Sequence, residues 1–136
     1  MSGLVVDASA VASWVMPDEK GPEVLLDRIA AADELRAPWL LWVELRNILL
    51  MGERRGRLPP GVTDTLLVAV DDLAITLVTT ADSARVLALA REHDLTAYDA
   101  LYLATAAQPG TMLATLDRKL AAAARREGVD VLPDLS

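Results

Sequence analysis

The sequence predicts an α/β fold, a three-layer α/β/α sandwich around a central parallel sheet of four to five strands. Short apolar or β-branched runs alternate with helical periodicities along the chain, and strands separated by helices pair in parallel through right-handed crossovers. The 136 residues are 53% apolar and include no cysteine, which is enough for one core without disulfides. No linker or repeat interrupts the pattern, so we expect one domain over residues 1–136.

Prolines and glycines mark the element boundaries in the first half of the chain. Pro17 ends the helix after the first strand, and Gly56 stops the long third helix. Proline is well tolerated at the start of a helix, because the backbone N–H that it lacks would have no hydrogen-bonding partner within the helix there. The expected elements are a strand at residues 4–6, a helix at 9–16, a helix from Pro22, an extended piece at 35–37 and a helix from Pro38 to about Arg54.

Capping residues supply the boundaries in the second half. Asp82 and Thr96 each precede a helical periodicity, the position of an N-cap. Pro109 and Gly110 break the helix that Thr96 opens. The expected elements are a helix from Pro59 and Pro60 through Asp72, a strand at 75–79, helices from Asp82 to about His93 and from Thr96 to Ala107, a strand at 112–115, a helix at 117–127 and a strand at 129–132.

Composition excludes several classes of site. Because the chain has no cysteine and one histidine, His93, thiolate zinc sites, cysteine nucleophiles and multi-histidine sites are excluded. We interpret His93, beside Glu92 and Asp94, as a surface group at a helix end. A net charge of −7 argues against a nucleic-acid partner unless carboxylates hold cations. No signal peptide or spanning stretch is seen, so a cytoplasmic protein without membrane contact is expected.

Three acids stand in apolar surroundings at places where a site can form. Asp7 is the only charge in residues 1–16, and Asp99 is the only charge in residues 97–107, a segment apolar enough to be buried all round. Asp117 follows the uncharged run 109–116. Asp7 and Asp117 each come after a strand, and ligands of parallel sheets bind outside the carboxyl ends of the strands.

Glu44 is the fourth such acid. By helical spacing it shares a face with Leu40, Ile48 and Met51, so we expect it to project toward the core, with Asn47 one turn on. Buried carboxylates are costly unless they are paired or bind metal. One shared hard cation, Mg²⁺ or Mn²⁺, satisfies all four acids, and such a site carries out phosphate chemistry.

Each acid also has a purely structural alternative, because aspartates often cap helices and glutamates often pair with cations. The alternatives are an N-cap for Asp7, an N-cap for Asp117, a capping box of Thr96 with Asp99, and an ion pair of Glu44 with Arg46 or Arg85.

Each of the four acids lies in a short block of distinctive sequence. The blocks are VVDAS at residues 5–9, WVELRN at 42–47, LTAYDALYLA at 95–104 and LATLD at 113–117. In this order, and over the whole length of the chain, they resemble the PIN-domain ribonucleases, specifically the VapC toxins of type II toxin–antitoxin systems.

The resemblance implies a PIN-like fold and a metal-dependent endoribonuclease that hydrolyses phosphodiester bonds of RNA such as tRNA or rRNA. It implies a homodimer and a VapB-like antitoxin as partners. Asp7, Glu44, Asp99 and Asp117 would hold the metal, with Glu44 as a ligand or as the base. Hydrogen bonds from Ser9, Asn47 and Thr115 would support them. Many relatives carry a further acid where this chain has Arg118-Lys119, which argues against a tightly bound second metal.

The rival function is a catalytically weak or inactive PIN-like protein-binding module, against which the intact acid set argues. Several large apolar residues provide surface for either a core or a partner, and we expect most of them in the core. These residues are Trp14, Met16, Trp39, Trp42, Leu50 and Met51.

Overall fold

A parallel five-stranded sheet forms the centre of the protein, in a computed structural model that describes residues 3–134. Within this range the sheet is flanked by seven helices. The elements are β1 (Gly3–Val6), α1 (Ala8–Val15), α2 (Glu23–Ala31), β2 (Leu35–Pro38), α3 (Leu40–Arg54), α4 (Val62–Asp72), β3 (Thr76–Val78), α5 (Ser83–His93), α6 (Ala97–Ala106), β4 (Thr111–Ala114), α7 (Arg118–Arg126) and β5 (Asp130–Leu132).

The strand order is β3-β2-β1-β4-β5, and every neighbouring pair is parallel. The first strand therefore lies at the centre, where Leu4 pairs with Leu35 on one side and Val6 with Ala114 on the other. The chain builds β2 and β3 to one side of β1, then returns to place β4 and β5 on the other. Such a reversal opens a crevice at the carboxyl ends of the two central strands.

Two groups of helices cover the sheet and complete the predicted sandwich. Helices α1 to α4 contact one another, and α6 contacts both α5 and α7 as well as the central strands. Val5 and Val6 of β1 are buried, as expected of a strand covered on both faces. None of the helices within residues 3–134 is long and apolar enough to cross a membrane.

Asp82 and Thr96 cap α5 and α6, as predicted. Asp82 accepts a hydrogen bond from the Arg85 backbone N–H at 3.2 Å, and Thr96 accepts one from the Asp99 backbone N–H at 3.1 Å. Gly56 adopts a positive φ of 72° just after α3, a conformation that glycine adopts without strain and that ends helices.

The predicted core face of α3 was wrong. The buried residues of this helix are Leu41, Leu45, Leu49 and Gly52, rather than the row that contains Glu44. Glu44 is half-buried and lies beside the row of buried residues. Two neighbouring rows of α3 carry apolar side chains, Leu41, Leu45 and Leu49 in one and Leu40, Ile48 and Met51 in the other, so spacing alone did not distinguish the buried face.

His93 is buried and not the surface group that the sequence indicated, with 8% of the residue exposed. Its Nε2 lies 2.8 Å from Glu127 Oε2, so the ring pairs with the residue at the C-cap of α7. The local sequence did not indicate this burial, because the partner, Glu127, lies 34 positions further along the chain.

Most of the large apolar residues expected in the core are not there. Of these six, Met16 is buried and Trp14 and Met51 are half-buried, whereas Trp39, Trp42 and Leu50 are exposed. Helix α6 is not buried all round either, since Tyr98 is 62% exposed. Three of the five aromatic residues, Trp39, Trp42 and Tyr98, are therefore exposed.

Candidate active site

Asp7 lies at the end of the central strand and is held by several hydrogen bonds. Its Oδ1 accepts from the Ser9 hydroxyl at 2.6 Å and from the Ala10 backbone N–H at 2.9 Å, and its Oδ2 accepts from the Thr115 hydroxyl. The bond to Ala10 makes Asp7 the N-cap of α1. The structural alternative for Asp7 is thus observed, but a cap is normally solvated, and this residue is only 5% exposed.

Burial of Asp7 costs free energy when the carboxylate is charged. Desolvation is the largest effect and raises its pKa to about 6, against the opposing effect of the hydrogen bonds from Ser9, Thr115 and Ala10. The nearby Asp117 carboxylate also raises the pKa of Asp7. A buried acid without a compensating positive charge is a natural ligand for a cation.

Asp117 and Asp99 lie at the starts of α7 and α6. Asp117 Oδ1 accepts from the backbone N–H groups of Lys119 and Leu120 at 2.9 and 3.1 Å, so Asp117 is an N-cap. Asp99 is in the first turn of α6, which the Thr96 side chain caps. Burial raises the pKa of Asp99, and the carboxylates of Asp117 and Glu44 raise it further. The acids of four separate sequence blocks therefore share one electrostatic environment.

Glu44 reaches this cluster from α3. Its Oε1 accepts a hydrogen bond from the Tyr102 hydroxyl at 2.6 Å. Neither of the cations considered as an ion-pair partner contacts it: Arg46 donates to the Trp42 carbonyl and lies 3.8 Å from the centre of the Trp42 ring, and Arg85 pairs with Glu127. The structural alternative for Glu44 is therefore not observed.

Two of the three supporting residues make the hydrogen bonds expected of them. Besides binding Asp7, the Ser9 hydroxyl accepts from the Leu116 backbone N–H at 2.9 Å, and the Thr115 hydroxyl accepts from the Asp117 backbone N–H at 3.0 Å. These bonds join the ends of β1 and β4. Asn47 is exposed, and its side chain makes no hydrogen bond within residues 3–134, so its expected support of the acids is not seen.

Tyr102 belongs to this site but was not singled out from the sequence. It lies three residues after Asp99 on α6, and residues three apart face the same side of a helix. This spacing was the available signal, since it directs the phenol toward the region that Asp99 occupies.

The donor set fits a hard divalent cation. All four acids offer oxygen, and within the described chain none of them forms an ion pair with lysine, arginine or histidine at 4.0 Å or less. The cluster is loose, because no three of these acids have ligand atoms all within 4.8 Å of one another. Glu92, His93 and Glu127 approach more closely, but His93 and Arg85 already satisfy Glu127.

Comparison with known proteins agrees with the fold. The model of the PIN domain family matches residues 4–126. A protein named Ribonuclease VapC3, from Pyrobaculum aerophilum, is 36% identical over 121 residues, which cover 87% of this chain and 92% of the relative. The crystal structure of PAE2754, from the same organism, is similar with a TM-score of 0.75 and 27% identity, covering 96% of this chain and 84% of that one. The chain therefore belongs to the PIN domain family.

Proposed function

We propose that this chain is a metal-dependent endoribonuclease and the toxin component of a VapBC-type toxin–antitoxin pair. The observation that carries the proposal is the set of four carboxylates, Asp7, Glu44, Asp99 and Asp117, near the carboxyl ends of β1 and β4. Within this set Asp117 raises the pKa values of Asp7 and Asp99, and Glu44 also raises that of Asp99. The name of the relative from Pyrobaculum aerophilum supports the same class of reaction.

In the proposed site Asp7, Asp99 and Asp117 hold Mg²⁺ or Mn²⁺, directly or through water. When bound, the cation supplies positive charge that activates a water molecule and stabilises the charge that develops on the phosphate. Ser9 and Thr115 fix the orientation of Asp7 through their hydroxyls. Protons compete with the cation for these carboxylates, so the raised pKa values of Asp7 and Asp99 predict activity that increases from acid to neutral pH.

Hydrolysis of an RNA phosphodiester forms a bond from a water oxygen to phosphorus, breaks the bond to the leaving oxygen and releases one proton. Glu44 suits the role of proton acceptor or of an additional ligand. Its Oε1 is engaged by Tyr102, which leaves Oε2 for either task. Lys119, beside the site and 60% exposed, is a candidate contact to the RNA backbone.

The proposed substrate is structured RNA such as tRNA or rRNA. Because cellular RNA is the proposed substrate, the proposal places the protein in the cytoplasm. The overall charge of −7 is compatible with RNA binding if cations occupy the acidic site, since bound ions reverse the local field.

The exposed apolar residues support the proposed protein partners. A groove at the start of α6 is lined by Trp39, Val86, Leu87, Tyr98 and Leu101, and Trp39 and Tyr98 are both more than half exposed. We assign this surface to a homodimer contact, because clusters of exposed aromatic residues are typical of interfaces. Val43 and Leu50 on the outer side of α3 add apolar area for an antitoxin helix.

The test is cleavage of total cellular RNA by purified, partner-free protein in Mg²⁺ or Mn²⁺ and in chelator. Discrete metal-dependent fragments are expected from the unsubstituted protein and are expected to disappear in Asp7→Asn. Asp82→Asn is the matched control, because Asp82 also caps a helix but lies outside the acid cluster. Absence of cleavage by the folded protein in all metals would leave the binding module as the better function.

A further inference from the structure

Tyr102 combines deep burial with a polar group at the candidate site. The residue is 2% exposed and is the largest fully buried side chain among the described residues. A buried hydroxyl is costly unless it is hydrogen-bonded. The other tyrosine, Tyr98, lies on the same helix and is 62% exposed. The two tyrosines thus differ in environment but share one element.

The hydroxyl of Tyr102 has one hydrogen-bonding partner within residues 3–134, the Oε1 atom of Glu44 at 2.6 Å. Burial raises the pKa of Tyr102 well above its usual range, and the carboxylates of Glu44, Asp7 and Asp99 raise it further. The phenol hydroxyl is the donor of this hydrogen bond, and the carboxylate oxygen of Glu44 accepts it. Such bonds from a neutral donor to a carboxylate are short and strong.

Glu44 needs such a donor to remain in the cluster. Its carboxylate lies among other acids, and within the described chain it has no cationic partner. The side chain is only half-buried, and the like charge of Asp99 favours displacement of the Glu44 carboxylate toward solvent. The bond to Tyr102 opposes this displacement without adding a charge to the site.

We infer that Tyr102 is a positioning residue that holds Glu44 Oε1 and leaves Oε2 as the oxygen presented to a divalent cation or to its water. This inference rests on the proposed function. Removal of a residue that orients a metal ligand in this way typically lowers metal affinity or activity by about 10- to 100-fold. Tyr102 acts through Glu44 and does not itself touch the reacting atoms.

The test compares Tyr102→Phe with the matched control Thr63→Val. This control removes another hydroxyl that donates to a glutamate at 2.6 Å, Glu53, but lies outside the acid cluster. Calorimetric titration with Mn²⁺ measures binding without RNA. Tyr102→Phe is expected to weaken Mn²⁺ binding by about 10- to 100-fold and to lower the rate constant for RNA cleavage, whereas Thr63→Val changes neither. In a Glu44→Gln background, Tyr102→Phe is expected to add no further loss.

The outcomes separate the two proposals. Wild-type affinity for Mn²⁺ in Tyr102→Phe would overturn the positioning role and leave the nuclease intact. Failure of the unsubstituted protein to bind Mn²⁺ or to cut RNA would overturn both. A measurement that needs no tyrosine variant is the NMR signal of the hydroxyl proton of Tyr102. We expect it to exchange slowly in the unsubstituted protein and to be lost in Glu44→Ala, and absence of the signal from the unsubstituted protein would contradict the bond.

Discussion

The buried Asp7 carboxylate should make the metal-free protein less stable as pH rises, and Asp7→Asn should remove this dependence. The pKa of Asp7 is about 6 in the folded protein against 3.8 for an unperturbed aspartate. Between about pH 4 and pH 6, therefore, Asp7 is protonated in the folded chain but has already lost its proton in the unfolded chain. Because the folded state binds more protons, the free energy of unfolding falls as pH rises through this window.

The difference of about two pKa units, at 1.36 kcal/mol per unit, corresponds to about 3 kcal/mol. Below pH 4 the carboxyl is neutral in both states and nothing is lost. Above about pH 6 the loss is complete and constant. For a chain of this length, 3 kcal/mol corresponds to a shift of roughly 10 °C in Tm.

The assay is urea unfolding of both proteins in chelator at a series of pH values from 4 to 7.5. Asparagine cannot ionise, so the stability of Asp7→Asn relative to the unsubstituted protein should increase by about 3 kcal/mol over this range. The change with pH is the quantity to compare, since asparagine also disturbs the bonds from Ser9 and Thr115 by a constant amount. Asp82→Asn, an exposed cap, should show a flat difference.

Mn²⁺ binding should restore the folding stability that is lost when Asp7 ionises. At a hundred times its Kd a ligand stabilises the folded state by about 2.7 kcal/mol, and this gain should appear above pH 6 in the unsubstituted protein and be absent in Asp7→Asn. A stability difference that stays constant within about 0.5 kcal/mol from pH 4 to 7.5 would refute the reasoning, because Asp7 would then ionise without cost.

Three further predictions concern core packing, the His93–Glu127 pair and helix capping. Leu49→Ala opens a cavity in the core and should lower the free energy of unfolding by about 2 to 5 kcal/mol, whereas truncation of the exposed Leu50 in the same experiment should change it little. Glu127→Ala removes the partner of buried His93 and should cost about 1 to 3 kcal/mol, with RNA cleavage per folded molecule unchanged; loss of cleavage would place this pair in the site. Asp117→Asn keeps the cap oxygen of α7 and should lose activity with little change in thermal unfolding, while Asp117→Ala should lose about 1 kcal/mol as well. Equal melting temperatures for the two Asp117 variants would argue against the cap.

Sequence reasoning located the elements and three of the acids because local chemistry determines them. Asp7 and Asp117 follow strands and precede helices, and both patterns are readable over a few residues. Asp99 lies at a fixed distance from its capping threonine. Parallel pairing of β1 with β4 then brings Asp7 and Asp117 to one edge of the sheet.

The residues whose burial or orientation was predicted wrongly depend on contacts between distant parts of the chain. The burial of His93 depends on Glu127, and the orientation of Glu44 depends on Tyr102, which lies 58 positions away. Trp39 directly precedes α3 and is exposed, which the periodicity of that helix does not indicate. Propensities and spacing describe one element at a time, so they do not reveal which of two apolar faces is covered.

The bond between Thr115 and Asp7 joins residues 108 positions apart, and this has a consequence during biosynthesis. Ribosomes add about 5 to 20 residues per second, so roughly 5 to 20 seconds separate the synthesis of Asp7 from that of its partner. Throughout this interval β1 lacks its neighbour β4, and the acid cluster is incomplete. The proposed nuclease site is therefore unable to form in a nascent chain until most of the domain has been translated.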